Sequence, residues 1–291
     1  MNTLRLNHLL EKYQRKIKRI GPQNEMMTDI KSLLNNAIPT TDRRFVTEGI
    51  WAHQKLQMTD IPIEYCLFCL EMIYSNEAVE LVEEFMNRTE HIYIIAPKIF
   101  QKLSDRDDPD GFMSVGILPI HDPAELVVRD DAVVVVLDGL ESPGNIGTIL
   151  RSCDGAGVDA VMICNPRARY NNPKMIKASM GAVFTVPIVQ FEQPLQCINW
   201  LKGHNFRIYL ADAEAKSCYE GNDYSGNTAI VLGSERYGIS REWYNHSVQT
   251  LTIPMLGSCD SLNVGVAASI LAYEICLHKR TQEGDCYENN I

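Results

Sequence analysis

The sequence predicts an α/β protein of two domains, the second built on a mostly parallel sheet. Three observations carry this reading. A length of 291 residues is enough to bury more than one core. Short β-rich runs alternate with helical periodicity through most of the chain. The run Val133-Val134-Val135-Val136-Leu137 is continuously apolar, as expected of a central parallel strand covered on both faces. Residues 1–28 read as a basic helical extension, 29–119 as a small α/β domain, 120–130 as a linker with Pro123, and 131–291 as the larger domain.

In the small domain, strands are expected at Arg44 to Thr47, Ile63 to Phe68, Ile92 to Ala96 and Phe112 to Leu118. Helical stretches lie at Ile50 to Gln57, Ala78 to Met86 and Lys98 to Leu103, and the polar turn from Asp105 to Gly111 follows. After Val133 to Leu137, further strands are expected at Ala160 to Cys164, Phe184 to Val189, Arg207 to Leu210, Ala229 to Leu232 and Gln249 to Ile253. Helical segments between several of them imply parallel pairing. The apolar stretch from Val264 to Cys276 carries Gly265, Ala267, Ala268 and Ala272, which permit close approach, so this helix is expected to be buried on more than one side, for example at a subunit interface.

Composition excludes several classes. Apolar residues make up 45% and charged residues 22%, the usage of a folded protein and not of a disordered chain. The apolar run Ala132 to Leu137 is far short of the roughly 20 residues a membrane span needs, and the N-terminus lacks a secretory core, so no membrane partner and a cytoplasmic location are expected. Nine cysteines spread over the chain read as reduced thiols. Cys66 and Cys69 form a C-x-x-C within an apolar run, without a second pair at zinc spacing, so no metal is expected. The net charge of −10 opposes polyanion binding unless the cations cluster. They do so in residues 1–20, where Lys16, Arg19 and four other cations face the single acid Glu11. That segment reads as a phosphate contact, as a solvated helix face, or as an amphipathic targeting segment.

Three loops draw attention in the larger domain. The first, Asp138 to Arg151, opens a helix whose apolar stripe is Ile146, Ile149, Leu150 and Cys153. Arg151 lies about 140° from that stripe and is presented to its surroundings; a solvated arginine, with Asn145 capping the helix, is the plain alternative. The second, Gly233-Ser234-Glu235-Arg236-Tyr237-Gly238, follows a buried strand at the end where open α/β sheets bind ligands, and Gly233 permits close approach of a ligand to the backbone. Glu235 stands there at the mouth of a site, or is a turn carboxylate paired with Arg236 or Arg241. The third, Pro254 to Asn263, ends with Ser261 and Asn263, either of which suits a helix N-cap. Phosphate-loop, dinucleotide, H-E-x-x-H and G-x-S-x-G patterns are missing, so nucleotide hydrolysis and common dehydrogenase or hydrolase chemistry recede.

Together the loops resemble the three signature motifs of the SpoU-type ribose methyltransferases of the SPOUT superfamily, over about Asp131 to Leu277. Asn145, Gly147 and Arg151 give N-x-G-x-x-x-R; Gly233-Ser234-Glu235 with Gly238 resembles motif two; Ile253-Pro254-Met255 with Ser261-Leu262-Asn263 resembles motif three. Lys177-Ala178-Ser179-Met180-Gly181-Ala182 and Pro187 are similar to the family's intermediate segment. In the first half, Arg43 to Gly49, Phe100 to Ser104 and Pro109 to Phe112 resemble the substrate-binding domain of ribosomal-RNA members, which transfer-RNA members often lack.

The resemblance implies a deep trefoil knot, a homodimer, and S-adenosyl-L-methionine held near Gly233, Ile253 and Leu262, with Ser261 and Asn263 beside it. It implies 2′-O-methylation of RNA, large-subunit ribosomal RNA above transfer RNA. A noncatalytic RNA-binding or ribosome-assembly protein on the same scaffold is the alternative from another class. The family assigns activation of the ribose hydroxyl to the arginine that is Arg151 here, with Asn145, Glu235, Ser261 and Asn263 shaping the site. RNA phosphates are expected on Arg43, Arg44 and the first helix, through Lys16 and Arg19.

Overall fold

In the computed structural model, which describes residues 2–38 and 42–283, the alternating pattern of the first half folds as a five-stranded sheet with helices packed on it. The chain runs through α1 (Asn2–Lys12), β1 (Ile17–Arg19), α2 (Glu25–Leu34), β2 (Arg44–Glu48), α3 (Ile50–Gln57), β3 (Ile63–Phe68), α4 (Asn76–Arg88), β4 (Ile92–Ile94), α5 (Pro97–Leu103) and β5 (Phe112–Ile117). The strand order is β1-β4-β3-β5-β2; β1 and β3 pair parallel with β4, and β5 pairs antiparallel with β3 and β2. In β3, Cys66, Leu67 and Phe68 are fully buried, and each large apolar side chain so placed contributes roughly 1.5–3 kcal/mol. Helix α4 starts at Ser75, whose Oγ accepts from the Ala78 N–H, and buries Val79, Val82, Phe85 and Met86 on one face.

Residues 2–28 are therefore built into the first unit and do not stand apart as an extension. Strand β1 joins the sheet, and α1 buries Leu6 and Leu9, followed by Tyr13 just past its end, while packing against α4. Its cations meet the outer face of α4: Arg5 pairs with Glu80 at 3.1 Å and Lys12 with Glu83 at 2.8 Å.

The second half continues with β6 (Val133–Asp138), α6 (Pro143–Ala156) and β7 (Ala160–Cys164). The chain then returns to the first unit for residues 170–184, which carry α7 (Pro173–Ser179), whereas the sequence pattern assigns them to the larger domain. The physical reason is local. The buried Asn171 amide donates to the carbonyls of Asp42 and Arg44, both at 2.8 Å, and the Phe184 ring packs on Phe45 at 5.0 Å.

Beyond it lie β8 (Ile188–Phe191), α8 (Pro194–Gly203), β9 (Arg207–Ala211), β10 (Thr228–Gly233), α9 (Arg241–Tyr244), β11 (Gln249–Leu251) and α10 (Val264–Glu283). The strand expected from Phe184 begins later because Ala182–Phe184 form a 3-10 turn and Pro187, which has no N–H to give a ladder, precedes β8. Residues 120–130 count with this second unit and are no free linker: the Trp200 indole donates to the Pro123 carbonyl at 2.8 Å, and Leu126 and Val128 pack on the core.

The second sheet is wholly parallel, in the order β11-β9-β10-β6-β7-β8. After β6, β7 and β8 grow it in one direction; β9, β10 and β11 occupy the other side, with β10 between β9 and β6. The β6/β10 boundary is thus a topological switch point, where open α/β sheets leave a crevice at the strands' carboxyl ends. All six residues of β6 are buried, matching their unbroken apolar run.

Cys66 and Cys69 are both fully buried, and burial pushes the Cys69 thiol up to about 11. Cys286 and the remainder of residues 284–291 lie outside the described residues. Among the described residues no helix is long and apolar enough to cross a membrane.

Candidate active site

Strands β6 and β10 end in register, Asp138 opposite Gly233, so the loops that follow them leave the sheet side by side. The fully buried Asp138 ties them together, since its Oδ2 accepts from the Ser240 N–H at 2.7 Å. Helix α6 begins at Pro143 with Ser142 as N-cap, its Oγ accepting from the Asn145 N–H at 3.4 Å. Asn145 is therefore not the cap. One turn inside the helix, its side-chain amide is free to donate to Glu235 Oε1, at 2.7 Å.

The loop after β10 is a tight hairpin. Ser234 and Gly238 exchange backbone hydrogen bonds of 3.1 and 2.9 Å, and Ser234 Oγ accepts from the Tyr237 N–H at 3.0 Å. A Cβ on Gly233 would lie 2.1 Å from the Gly238 carbonyl carbon, so this turn admits only glycine there. The hairpin carries Glu235 outward between the other two loops. Glu235 forms no ion pair with Arg236 or Arg241 among the described residues; it accepts from two amides instead.

The second amide is Asn263 Nδ2, 3.1 Å from the same Oε1. Asn263 also begins α10, its Oδ1 accepting from the Gly265 N–H at 2.9 Å. Capping and site-building are thus performed by two ends of one side chain. Residues 145, 235 and 263, taken from three separate loops, meet at a single carboxylate.

Beside this triad lies a cavity of about 550 Å³, within the range of small-molecule and cofactor sites. Gly233, Ile253, Ser261 and Leu262 line it, with Leu232, Ile239, Leu251 and Leu271 as apolar wall. A smaller cavity of about 260 Å³ is lined by Ser142, Asn145 and Arg236, and Glu235 borders both. Sequence reasoning missed Asp212, Glu214 and Tyr244 on the larger wall. Asp212 follows the carboxyl end of β9, the position at which a parallel sheet exposes ligand contacts, and that was the available signal. Burial and the neighbouring Asp212, which accepts from the Tyr244 hydroxyl at 2.8 Å, push that phenol up to about 12.

Arg151 is not brought to the triad within one chain. It is exposed on α6, six residues beyond Asn145, and lines neither cavity. It flanks the seam where α6 meets α10, closed by Ser152 Oγ and Ser269 Oγ at 2.6 Å. Helix α10 is not buried all round: Ala268, Leu271, Ala272 and Ile275 face the core, while Val266 and Tyr273 are exposed.

Two of the expected RNA contacts are engaged elsewhere. The Arg44 guanidinium meets Asp42 at 2.8 Å, Asp29 at 3.0 Å and Glu64 at 3.8 Å, and the Asp42 hydrogen bond leads the interactions that hold its pKa above the usual arginine value. Lys16 donates to the Thr89 carbonyl at 3.1 Å near the end of α4 and pairs with Glu90. Arg19 and Arg43 remain exposed.

A parallel sheet whose switch-point loops bring two amides and a carboxylate beside a cofactor-sized cavity defines an α/β enzyme of the cofactor-binding type. Residues 132–273 match the SpoU rRNA Methylase family, so the second half of the chain carries a SpoU-type RNA methylase domain. It is 28% identical over 264 residues to a 23S rRNA (uridine(2479)-2′-O)-methyltransferase of Streptomyces viridochromogenes, covering 88% of this chain and 91% of the relative. A putative TrmH family tRNA/rRNA methyltransferase of Staphylococcus haemolyticus is 40% identical over 156 residues, 53% of this chain and 61% of the relative. Among solved structures, the SpoU methyltransferase AviRb of Streptomyces viridochromogenes in complex with the cofactor AdoMet superposes with a TM-score of 0.78 at 26% identity, covering 88% of this chain and 98% of that one.

Proposed function

We propose that the protein transfers the methyl group of S-adenosyl-L-methionine to a ribose 2′-hydroxyl of large-subunit ribosomal RNA, acting in the cytoplasm. The observation that carries this is the meeting of Asn145 and Asn263 on Glu235 at the wall shared by two cavities. The larger cavity suits the cofactor: backbone at Gly233, Ile253 and Leu262 for the adenine edge, aliphatic walls for the ring and thioether, and Asp212 and Glu214 for an ammonium. The bound cofactor supplies an electrophilic methyl group on a sulfonium. The smaller cavity then receives the ribose.

Two amides fix one Glu235 oxygen, and the other has no hydrogen-bond partner among the described residues, so it is available to the hydroxyl that must lose a proton. In this reading Arg151, which lines neither cavity, enters the site from a second copy, supplied by a homodimer packed through the exposed side of α6 and α10. A guanidinium stays charged, so its part is to orient the hydroxyl or hold the adjacent phosphate, not to act as base. The trefoil knot belongs to the same reading, supported by the insertion of β10 between β6 and β9. The first unit serves as the RNA-binding module. Support for ribosomal over transfer RNA comes from the 23S rRNA relative, whose match extends across that unit.

The test is transfer of a labelled methyl group to separate ribosomal and transfer RNA pools, beside Arg151→Ala. Alkali-stable label in ribosomal RNA, lost in the variant, is the expected result. Label in transfer RNA alone overturns the substrate, and no label despite measurable cofactor binding overturns the activity.

A further inference from the structure

The segment from Lys177 to Gly181 takes no part in the site above, yet it is built into the first unit with unusual backbone. Met180 adopts a left-handed φ of 51°, a conformation that a side-chain-bearing residue rarely takes. Gly181 follows at φ 91°, and a Cβ there would lie 2.8 Å from Lys55, so only glycine lets this turn press against α3. The turn aims the Met180 carbonyl at Trp51, whose indole N–H donates to it at 3.3 Å. Trp51 is consequently fixed in orientation while 54% of it stays exposed; Met180, beside it, is 41% exposed.

Cations stand on the elements that carry this ring and on the segment bound to it. Lys55 Nζ stands 5.8 Å from the ring centroid, Lys174 and Lys177 project from α7, and Arg43 is exposed next to the backbone that Asn171 clamps. None of these four forms an ion pair among the described residues, whereas Arg5, Lys12, Lys16 and Arg44 all do. The nearby acids are already committed: the partly buried Glu48 accepts from Ser104, and Asp110 accepts from the Ile50 N–H and from Arg106.

We propose that Trp51 and Met180, with Lys55 beside the ring, Lys174 and Lys177 on the helix that leads into Met180, and Arg43 exposed on the same unit, form a stacking platform for an unpaired nucleotide of the RNA substrate. This rests on the RNA-methyltransferase reading. An oriented aromatic face stacks on any base, and unpaired lysines follow the flanking phosphates. A protein partner fits less well, because protein interfaces are depleted in lysine.

Tryptophan emission of the full-length protein, titrated with a single-stranded oligoribonucleotide of mixed sequence, tests the platform. Trp243 is fully buried and Trp200 is partly buried, so Trp51 is the solvent-facing reporter. RNA should quench the wild type and lose that quench in Trp51→Phe and Trp51→Ala. Affinity should fall roughly 5- to 100-fold in Trp51→Ala and less in Trp51→Phe, which keeps a ring. Lys174→Gln with Lys177→Gln should flatten the dependence of log affinity on log salt by about 1.4. S-adenosyl-L-methionine affinity, measured by calorimetry, should be unchanged throughout and serves as the check on folding.

Unchanged RNA affinity in Trp51→Ala with methyl transfer intact overturns the platform alone. A change of sedimentation in that variant, without loss of RNA affinity, reassigns the face to a protein contact and also overturns it. Failure of the wild type to bind or methylate any RNA overturns the platform together with the reading beneath it.

Discussion

The two units use polar side chains in opposite ways. In the second, residues at the carboxyl ends of parallel strands bond across loops and leave cavities open beside them, as Asn145, Asn263 and Glu235 do. In the first, comparable residues are consumed internally: Arg44 is tied to Asp42, Asp29 and Glu64, and the Tyr65 hydroxyl donates to Asp29 at 2.8 Å. A parallel sheet with a switch point makes a crevice by topology, so its loop residues are placed for a ligand. A small mixed sheet makes no such crevice and must secure its edges with ion pairs and caps. A cation on the first unit is therefore informative only once its partners are known.

The sharpest way to break this comparison is at Glu235. Glu235→Gln should lower the methyl-transfer rate by about a hundredfold or more, the usual contribution of a positioned acid–base group, while cofactor affinity stays near wild type. Single-turnover kinetics beside calorimetry separates the two quantities. A rate within a few-fold of wild type would reduce the triad to loop scaffolding and make the two units alike.

A smaller effect separates Arg44 from Arg43. Arg44→Ala leaves three carboxylates together around a partly buried gap and should cost about 1–3 kcal/mol of stability, with RNA affinity almost unchanged. Arg43→Ala should do the reverse, weakening RNA binding at near-native stability. Denaturant titration and filter binding on both variants distinguish these outcomes. An RNA defect in Arg44→Ala at full stability would show that its ion pairs open on binding.

How much of this was readable beforehand divides along the same line. The three loops of the second unit stood out because strand ends, glycines and helix starts are local signals, and helix α3 ran from Ile50 to Gln57 as its periodicity predicted. Pairing was not local. No sequence rule foretold that Asn145 would point at Glu235 and leave the capping to Ser142, that Lys16 would sit near the end of a helix more than sixty residues away, or that residues 170–184 would pack with the first unit. Strand β1 escaped because three residues, two of them cations, carry no β signal of their own; pairing with β4 overrides their propensity.

The smallest effect is also the most diagnostic of how the first unit is held. His53 is fully buried, stacked on Phe112 at 3.6 Å with Phe85 edge-on at 4.9 Å. Nδ1 donates to the Gly49 carbonyl at 2.7 Å, and Nε2 accepts from the Ser114 hydroxyl at 2.8 Å. That arrangement satisfies a neutral ring completely and offers nothing to a second proton. Burial, reinforced by Arg106 and Arg88, holds the imidazole down to about 3, against 6.5 in an open chain. Above pH 6.5 neither folded nor unfolded chain binds the proton, and stability is indifferent to this residue. As pH falls from 6.5 toward 3 the unfolded chain takes up a proton that the folded one refuses, so stability is lost at about 1.4 kcal/mol per pH unit. His53→Gln, which retains a donor and an acceptor but does not titrate, should remove that slope while leaving the carboxylate contributions common to both proteins. Chemical denaturation between pH 5 and 7 measures the difference. Equal slopes in the two proteins would mean that the ring is protonated in the fold, and the first unit would then hold an internal charge where its neighbours are arranged for a neutral one.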